Sequence, residues 1–256
     1  MKNIAIVTGA SGGLGREFVK QILEMGKVDE IIAMARSKDK LDALAEEFGD
    51  KVKSYPIDLS DVEAIKKFGE YLAEEKPSVS MLVNNAGFAK FCDYDDISLD
   101  ESINMINLNV SGVVAMGLVC IPFMPKGAHI INIASQASFQ PLPYQNIYSS
   151  TKSFVRNYSR ALNVELREKG IKVTAVCPGW IKTPLFDRGL IGAKKAASNF
   201  SNMSLPDAVA KKALKDALAG KDMSVYSFYV KLCHLVAKIL PQKMMMKVWL
   251  KQQKLK

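Results

Sequence analysis

The chain has 256 residues, of which 48% are hydrophobic and 24% charged, with four cysteines, two histidines and a formal net charge of +9. This composition excludes a disordered, collagen-like or disulfide-scaffold chain, and the length suits one large α/β domain. The cysteines form no C-x-x-C pair and neither histidine lies in a catalytic or ligand motif. We therefore predict reduced thiols, no metal site and a cytoplasmic protein.

The positive charge is concentrated at the C-terminal end. Residues 221–256 hold eight lysines and one aspartate, so this segment carries +7 of the +9. The rest of the chain is nearly neutral and lacks a basic face with aromatic platforms, which argues against nucleic acid as a partner. The longest uncharged stretch, 102–125, contains three asparagines and Pro122. It predicts a buried helix followed by a turn rather than a membrane span.

The first 180 residues alternate between strand-like and helix-like segments. Apolar runs predict strands at 3–8, 30–35, 52–57, 79–83, 128–134 and 172–176. Periodic apolar positions predict helices at 13–25, 38–48, 61–75, 99–120 and 146–168. This alternation indicates an α/β fold with a doubly wound parallel sheet, in a single domain over residues 1–256.

The pattern changes after Thr183. Residues 185–204 are rich in Gly, Ala, Ser and Asn, which predicts a mobile lid over a substrate site. A helix at 206–219 and a short strand at 223–226 follow. Residues 221–256 predict a basic amphipathic extension, broken at Pro241. This tail could cover the pocket, lie on an anionic membrane or bind a second subunit. Its apolar residues at helical spacing are Val225, Phe228, Leu232, Leu235, Val236, Ile239 and Leu240.

A glycine-rich segment, TGASGGLG at residues 8–15, follows the first strand and opens the first helix. Glycines let the backbone approach a pyrophosphate closely, and the helix N-terminus supplies N–H groups and a positive dipole. An ordinary strand–helix turn is the alternative interpretation, and the spacing G-x-x-x-G-x-G differs from the general dinucleotide motif.

Further motifs follow in an order that resembles the short-chain dehydrogenase/reductase family. They are Asp58-Leu59, Asn84-Asn85-Ala86-Gly87, Asn109, Ser135, Tyr148-Ser-Ser-Thr-Lys152, and Pro178-Gly179 with Thr183. The resemblance covers about residues 3–220. It implies a Rossmann-type fold, a nicotinamide cofactor, and hydride transfer between a carbonyl and an alcohol.

Tyr148 and Lys152 are four residues apart in a predicted helix and therefore share a face. A fixed ammonium nearby favours the phenolate, so we expect Lys152 to lower the pKa of Tyr148. The resemblance implies that Tyr148 is the acid/base and that Lys152 activates it and binds a ribose. Ser135, 13 residues before Tyr148, then polarises the substrate carbonyl, with Ser138 as its competitor.

The fourth member of this tetrad is Asn109, in the apolar helix INLNVSGVV. By resemblance it anchors a water that links Lys152 to solvent. Asn104 and Asn107 are the alternatives, and Asn109 is preferred because Gly112 completes the family's N-x-x-G pattern.

The second strand ends at Ala35, where an acidic residue would select NAD, and Arg36 follows. A guanidinium there can pair with a 2′-phosphate, which predicts NADP(H). The predicted cofactor contacts are Gly9, Ser11, Gly13, Leu14, Gly15, Arg36, Ser37, Asp58, Leu59, Asn85, Ala86, Gly87, Tyr148, Lys152, Pro178, Gly179, Ile181 and Thr183.

The candidate substrate wall is apolar and aromatic. Its members are Ala137, Phe139, Leu142, Tyr144, Trp180, Leu185, Phe186 and Phe200. They predict a small hydrophobic substrate, a ketone or secondary alcohol, and a hydroxysteroid dehydrogenase is our first hypothesis. A general carbonyl or acyl reductase is the alternative enzyme, although the absence of a terminal Asp-Gly-Gly segment argues against a carrier-protein reductase.

A different class of protein, a non-catalytic NADP-binding regulator or membrane-associated protein, would show a broken tetrad. All four members are present here. The resemblance also implies a homodimer or homotetramer, formed through the long helices at 99–120 and 146–168.

Overall fold

The computed structural model describes residues 1–255, which build a seven-stranded sheet between two layers of helices. The strands are β1 (Asn3–Thr8), β2 (Glu30–Ala35), β3 (Val52–Pro56), β4 (Ser78–Asn84), β5 (His129–Ile133), β6 (Lys172–Val176) and β7 (Met223–Ser224). Their order is β3-β2-β1-β4-β5-β6-β7, and every neighbouring pair is parallel. The order reverses between β1 and β4, and ligands of such sheets bind at that point, beyond the carboxyl ends of the strands.

The helices alternate with the strands as predicted, so the doubly wound α/β fold is confirmed. They are α1 (Gly13–Met25), α2 (Lys38–Phe48), α3 (Val62–Glu75), α4 (Leu99–Ile106), α5 (Gly112–Cys120), α6 (Asn146–Glu165), α7 (Leu185–Leu190), α8 (Pro206–Leu218), α9 (Phe228–Ile239) and α10 (Gln242–Gln253). The apolar runs of the strands are buried on both faces, because each face carries a helical layer.

One core lies under α1, α2 and α8, where Phe18 and Leu214 are buried. The other lies under α3, α5 and α6, where Phe68, Met116 and Leu162 are buried. The apolar stripes of these helices cover the sheet, which explains why their periodicity was readable from the sequence.

The boundaries differ from the predictions at several ends. The last strand is two residues long, Met223–Ser224, rather than 223–226. Helix α6 ends at Glu165 rather than 168, because Leu166 leaves helical geometry and the chain turns through Gly170 at a φ of +68°. The remaining differences at strand and helix ends are smaller.

The predicted helix at 99–120 extends as a helical run to Phe123, but it contains a π-helical turn at Asn107–Ser111. By length and composition alone residues 99–123 could cross a membrane, and only 33% of the most apolar window is buried in the domain. In this domain α5 packs against α3 and β4. The run is thus a helix of the second layer, but it is less buried than the sequence analysis expected.

The predicted lid and tail contact one another. Residues 185–204 contain α7 and are tied to the segment after β4, because Phe91 N donates to Gly189 O at 3.0 Å and Ala197 N to Phe91 O at 3.2 Å. From α10, the Gln253 side chain accepts from Asn199 N at 2.9 Å and donates to Asn199 O at 3.2 Å. The tail is therefore packed over the segment that the sequence predicted as a mobile lid.

Candidate active site

A cleft of about 450 Å³ lies at the carboxyl ends of the strands. It is bordered by the segments that follow β1 to β6 and by the first two turns of α6. The predicted residues that line it are Gly9, Ser11, Gly13, Leu14, Arg36, Ser37, Asp58, Leu59, Asn85, Ala86, Gly87, Ser135, Tyr148, Lys152, Pro178, Gly179, Trp180, Ile181, Thr183, Leu185 and Phe186. The fold thus brings most of the predicted site into one cavity.

The glycine loop forms a cradle at the N-terminus of α1. The N-cap Gly12 supplies no side-chain bond to the helix, and a Cβ there would meet open space. Gly9 has a φ of +64°, and a Cβ on it would lie 2.8 Å from Asn85 Nδ2. The first N–H groups of α1 are therefore free for a phosphate-bearing ligand, as a nucleotide cofactor would require.

Gly15 does not line the cleft, unlike the other predicted contacts of the glycine loop. A Cβ on Gly15 would lie 2.1 Å from Gly9 O, so the residue lets α1 pack tightly against the loop. The tight packing explains why a glycine stands here, and a direct contact between Gly15 and a cofactor stays a prediction.

Two polar side chains hold the glycine loop to the turn after β4. Thr8 Oγ1 accepts hydrogen bonds from Asn85 N at 2.9 Å and Ala86 N at 3.0 Å. Asn85 Nδ2 donates to Thr8 O at 3.0 Å and Gly9 O at 3.2 Å. Asn85 borders the cleft, but its side-chain amide is hydrogen-bonded to the backbone of the glycine loop. Its role is therefore to hold the glycines in position.

A cationic corner lies at the end of β2. Arg36 and Ser37 line the cleft together with Lys40, which the sequence analysis missed. Lys40 lies three residues after Ser37 in the first turn of α2, a spacing that brings it near the same end of the helix. This corner can hold an anionic group.

Asp58 borders the same end of the cleft and accepts hydrogen bonds from Ser60 N at 2.9 Å and Ser60 Oγ at 2.7 Å. Burial acts to raise the pKa of Asp58, but the Ser60 bonds and nearby Arg36 prevail and hold it below its ordinary value. The carboxylate is therefore charged at neutral pH.

The candidate acid/base pair is buried. Tyr148 is 8% and Lys152 5% exposed. Burial raises the pKa of Tyr148 to about 12, against an opposing hydrogen bond with Ser135. Burial lowers the pKa of Lys152 to about 8. The expectation that Lys152 lowers the pKa of Tyr148 is wrong for this structure.

The reason is the direction of the ammonium. Lys152 Nζ donates to Ile133 O at 2.7 Å and lies 5.8 Å from the centroid of the Tyr148 ring. Loss of solvent therefore outweighs attraction between the two groups. At neutral pH the site presents a protonated phenol close to a charged ammonium.

The two candidate serines differ in direction. Ser135 lines the cleft, and its Oγ accepts from Ala137 N at 3.1 Å. Ser138 is buried outside the lining, where its Oγ donates to Ser135 O at 2.6 Å and lies 3.8 Å from Cys177 Sγ. Only Ser135 can reach a substrate beside Tyr148.

Asn109 lies in the π-helical turn, fully buried and outside the cleft lining. Its Nδ2 donates to Phe88 O at 2.9 Å and Thr151 Oγ1 at 3.2 Å, and its Oδ1 accepts from Phe88 N at 3.1 Å. A Cβ on Gly87 would lie 2.8 Å from Asn109 Oδ1 and 3.5 Å from Lys152 Nζ. Asn109 therefore fastens the segment after β4 beside Lys152.

Aromatic rings form the substrate side of the cleft. Trp180, Phe186 and the previously unassigned Phe91 line it. Phe200 packs behind them, 4.7 Å from Phe186 and 5.1 Å from Trp180 between ring centroids. In α10, Trp249 lies 6.3 Å from Trp180.

Five predicted wall residues do not line the cleft, and Phe200, which packs behind the rings, is one of them. Ala137, Leu142 and Tyr144 belong to the apolar cluster behind it. Phe139 is turned toward α9, where its ring lies 4.2 Å from that of His234. The 3₁₀ turn Gln136–Phe139 has three residues per turn, so Ala137 and Phe139, which are two residues apart, enter different cores.

Leu108 and Arg188 also line the cleft and were not predicted. Arg188 follows the predicted contact Leu185 by three residues on α7, so helical spacing would have indicated it. Leu108 had no such signal, because its direction is set by the π-helical turn.

This chain is similar to known proteins in both sequence and structure. The sequence model of the short chain dehydrogenase family matches residues 3–189. An uncharacterized oxidoreductase of Staphylococcus aureus (strain N315) is 31% identical over 185 residues, which make up 71% of this chain and 79% of that protein.

Solved structures agree in fold. A short-chain dehydrogenase from Sphingobium yanoikuyae in complex with NADPH has 25% identity and a TM-score of 0.80, covering 95% of this chain and 94% of that chain. The closed form of a serine dehydrogenase complexed with NADP+ has 29% identity and a TM-score of 0.76, covering 87% and 93%. A Burkholderia phymatum short chain dehydrogenase/reductase in complex with NAD, 20% identical with a TM-score of 0.77 over 93% and 95%, shares the fold.

Proposed function

The chain belongs to the short-chain dehydrogenase/reductase family of oxidoreductases, and we propose that it uses NADP(H) to interconvert a hydrophobic ketone and a secondary alcohol. The observation that carries the proposal is the buried, protonated Tyr148 hydroxyl beside Ser135, between a cationic corner and an aromatic wall. A buried acid with a hydrogen-bond donor next to it suits proton delivery to a carbonyl oxygen.

Two parts of the cleft suit NADP(H), the N-terminus of α1 and the cationic corner at Arg36. The uncapped N-terminus of α1 and the open space at Gly12 can receive a pyrophosphate. Arg36 and Lys40 can pair with a 2′-phosphate. A site for NAD would have an acidic residue at this position instead. The bound nicotinamide would supply or accept the hydride.

The residues of the chain handle the proton and the oxygen. In carbonyl reduction Tyr148 donates its phenolic proton to the substrate oxygen, which Ser135 polarises with its hydroxyl. Lys152, held by Ile133 O, keeps a positive charge close to the phenolate that forms. Because burial raises the pKa of Tyr148 to about 12, the phenol carries the proton that reduction needs at neutral pH.

The substrate class follows from the wall. Phe91, Trp180 and Phe186 present aromatic rings to the cleft. Arg188, two residues after Phe186, is the charged lining residue nearest to these rings in the sequence. Apolar walls of this kind exclude water and favour a steroid, an acyl chain or an aromatic ketone. We propose a ketosteroid, which reduction converts to a hydroxysteroid, or a related hydrophobic carbonyl as the substrate.

The first experiment is an absorbance and fluorescence screen with NADPH and NADH against steroids, ketoacyl thioesters and small aryl ketones. We expect NADPH oxidation with one hydrophobic class. Tyr148→Phe should lose roughly 100- to 10,000-fold in turnover and still bind NADPH. Tyr158→Phe is the matched control, because Tyr158 lies in the same helix and its hydroxyl has no partner in the described structure. Full activity of Tyr148→Phe would overturn the catalytic proposal.

A second pair of variants tests the cofactor preference. Removing Arg36 takes one charged hydrogen-bond donor from the 2′-phosphate, so Arg36→Ala should weaken NADPH binding by roughly 10- to 100-fold and leave NADH unchanged. Lys38→Ala is the control, since Lys38 lies two residues after Arg36, is exposed at the start of α2 and pairs with Asp42. Equal affinity of the unaltered protein for NADPH and NADH would contradict the preference.

We also propose that the protein forms a homodimer or homotetramer in the cytoplasm. The run at 99–123 leaves Leu99 and Leu118 75% and 60% exposed, and α6 leaves Val164 52% exposed. These apolar side chains suit a contact between copies.

All four cysteines are free thiols, which suits a reducing compartment. Peripheral membrane contact through the tail would bring hydrophobic substrates to the protein.

A further inference from the structure

The outer face of α9 carries an apolar stripe that no residue of the described range 1–255 covers. Phe228, Leu232, Leu235 and Ile239 are 82%, 46%, 55% and 71% exposed. Their spacing of four, three and four residues places them in one line along the helix. The opposite face packs on the domain, where Val230 is only 3% exposed.

Lysines accompany this stripe and are not matched by acids. Lys231 and Lys238 each precede a stripe residue, about 100° around the helix. The sequence from 223 to 256 contains seven lysines and no acidic residue. Within residues 1–255, none of the lysines after Lys221 forms an ion pair. The long lysine side chains can reach a charged plane at the level of the stripe.

We propose that α9 docks on an anionic lipid surface, with the apolar stripe among the acyl chains and the lysines at the headgroups. An interfacial helix has this combination of an apolar face and unpaired basic residues. A second copy of the chain fits less well, since a twofold contact would set the lysines of one stripe against those of the other.

The docked face lies close to the candidate active site. On its inner side α9 packs on the turn Gln136–Phe139, and a Cβ on the cleft residue Gly179 would lie 2.9 Å from Val230 Cγ2. Only one helix diameter, about 10 Å, therefore separates the lipid surface from loops that border the cleft. If the proposed substrate class is right, a lipid-dissolved substrate would reach the protein beside its pocket.

Sedimentation with vesicles tests the docking without any need for turnover. We expect the protein to bind vesicles of phosphatidylcholine mixed with phosphatidylserine, more weakly at high salt, and to leave phosphatidylcholine vesicles largely unbound. Phe228→Ser/Ile239→Ser should lower the partition coefficient at least roughly tenfold. Lys231→Gln and Lys238→Gln should each lower it about fivefold.

Tyr94→Ser/Ile191→Ser is the matched control, because these side chains are similarly exposed, at 77% and 67%, outside the tail. Equal binding of the stripe variant and the control, or no binding of the unaltered protein, would overturn the proposal. A fall in oligomeric mass of the stripe variant, without vesicle binding by the unaltered protein, would identify the stripe as a subunit contact instead. NADPH binding by the stripe variant, measured in solution, reports separately on the cofactor site.

Discussion

Replacing Lys152 with methionine should make the protein more stable while removing its activity. Lys152 is buried, and the fall of its pKa from 10.5 to about 8 means that keeping the charge inside the folded protein costs about 3 kcal/mol below pH 8. Methionine fills similar space without charge, but it leaves Ile133 O without its donor, a loss of about 1 kcal/mol. The expected net gain at pH 7 is about 2 kcal/mol, or about 4–8 °C in Tm.

The pH dependence separates this explanation from better packing alone. Between pH 8 and pH 10.5 the unfolded chain binds more protons at Lys152 than the folded one, so the stability of the unaltered protein rises with pH relative to the variant. Urea unfolding of cofactor-free protein should therefore show the Lys152→Met advantage at neutral pH and its loss near pH 10.5.

Lys67→Met, at an exposed position in α3, is the control and should show no such trend. A Lys152→Met variant that is less stable at pH 7, or whose advantage is independent of pH, would refute the reasoning. The gain in stability with loss of turnover would be the expected relation between a functional charge and the fold that buries it.

Three further outcomes follow from the site. Carbonyl reduction should slow above pH about 8, because Lys152 loses its charge there while Tyr148, with a pKa of about 12, keeps its proton; kcat/KM against pH measures this. Gly15→Ala should lose about 1–3 kcal/mol of stability and much of its NADPH binding, since the new Cβ would lie 2.1 Å from a backbone oxygen, whereas Gly12→Ala should fold normally by thermal unfolding. Trp249→Phe loses the bond from Nε1 to Pro143 O at 2.9 Å and should raise KM for bulky substrates more than it lowers kcat.

Much of the fold was predictable because its signals are local. Strands buried on both faces appear as short apolar runs, and helices that cover a sheet show a 3.6-residue period, as in α1 and α3. The cleft was predictable for a related reason. Motifs at the carboxyl ends of parallel strands meet at one edge, so Ser135 and Gly87 come together although 48 residues separate them.

What the sequence could not show depends on the direction of side chains. Phe139 and Ala137 are two residues apart, yet they enter different cores, because a 3₁₀ turn does not keep strand alternation. The balance between burial and charge at Tyr148 was equally hidden. Spacing placed Lys152 nearby, but only the structure shows its ammonium bonded to Ile133 O.

The C-terminal helix α10 contacts segments that border the candidate site. Trp249 donates to Pro143 O at 2.9 Å, and Pro143 precedes Tyr144, which has a φ of +63° at the start of the segment that leads into α6. Because Tyr148 lies in the first turn of that helix, α10 supports the backbone that positions the proposed acid. The same helix holds Asn199 through Gln253, so one element fixes both the approach to Tyr148 and the segment over the substrate wall.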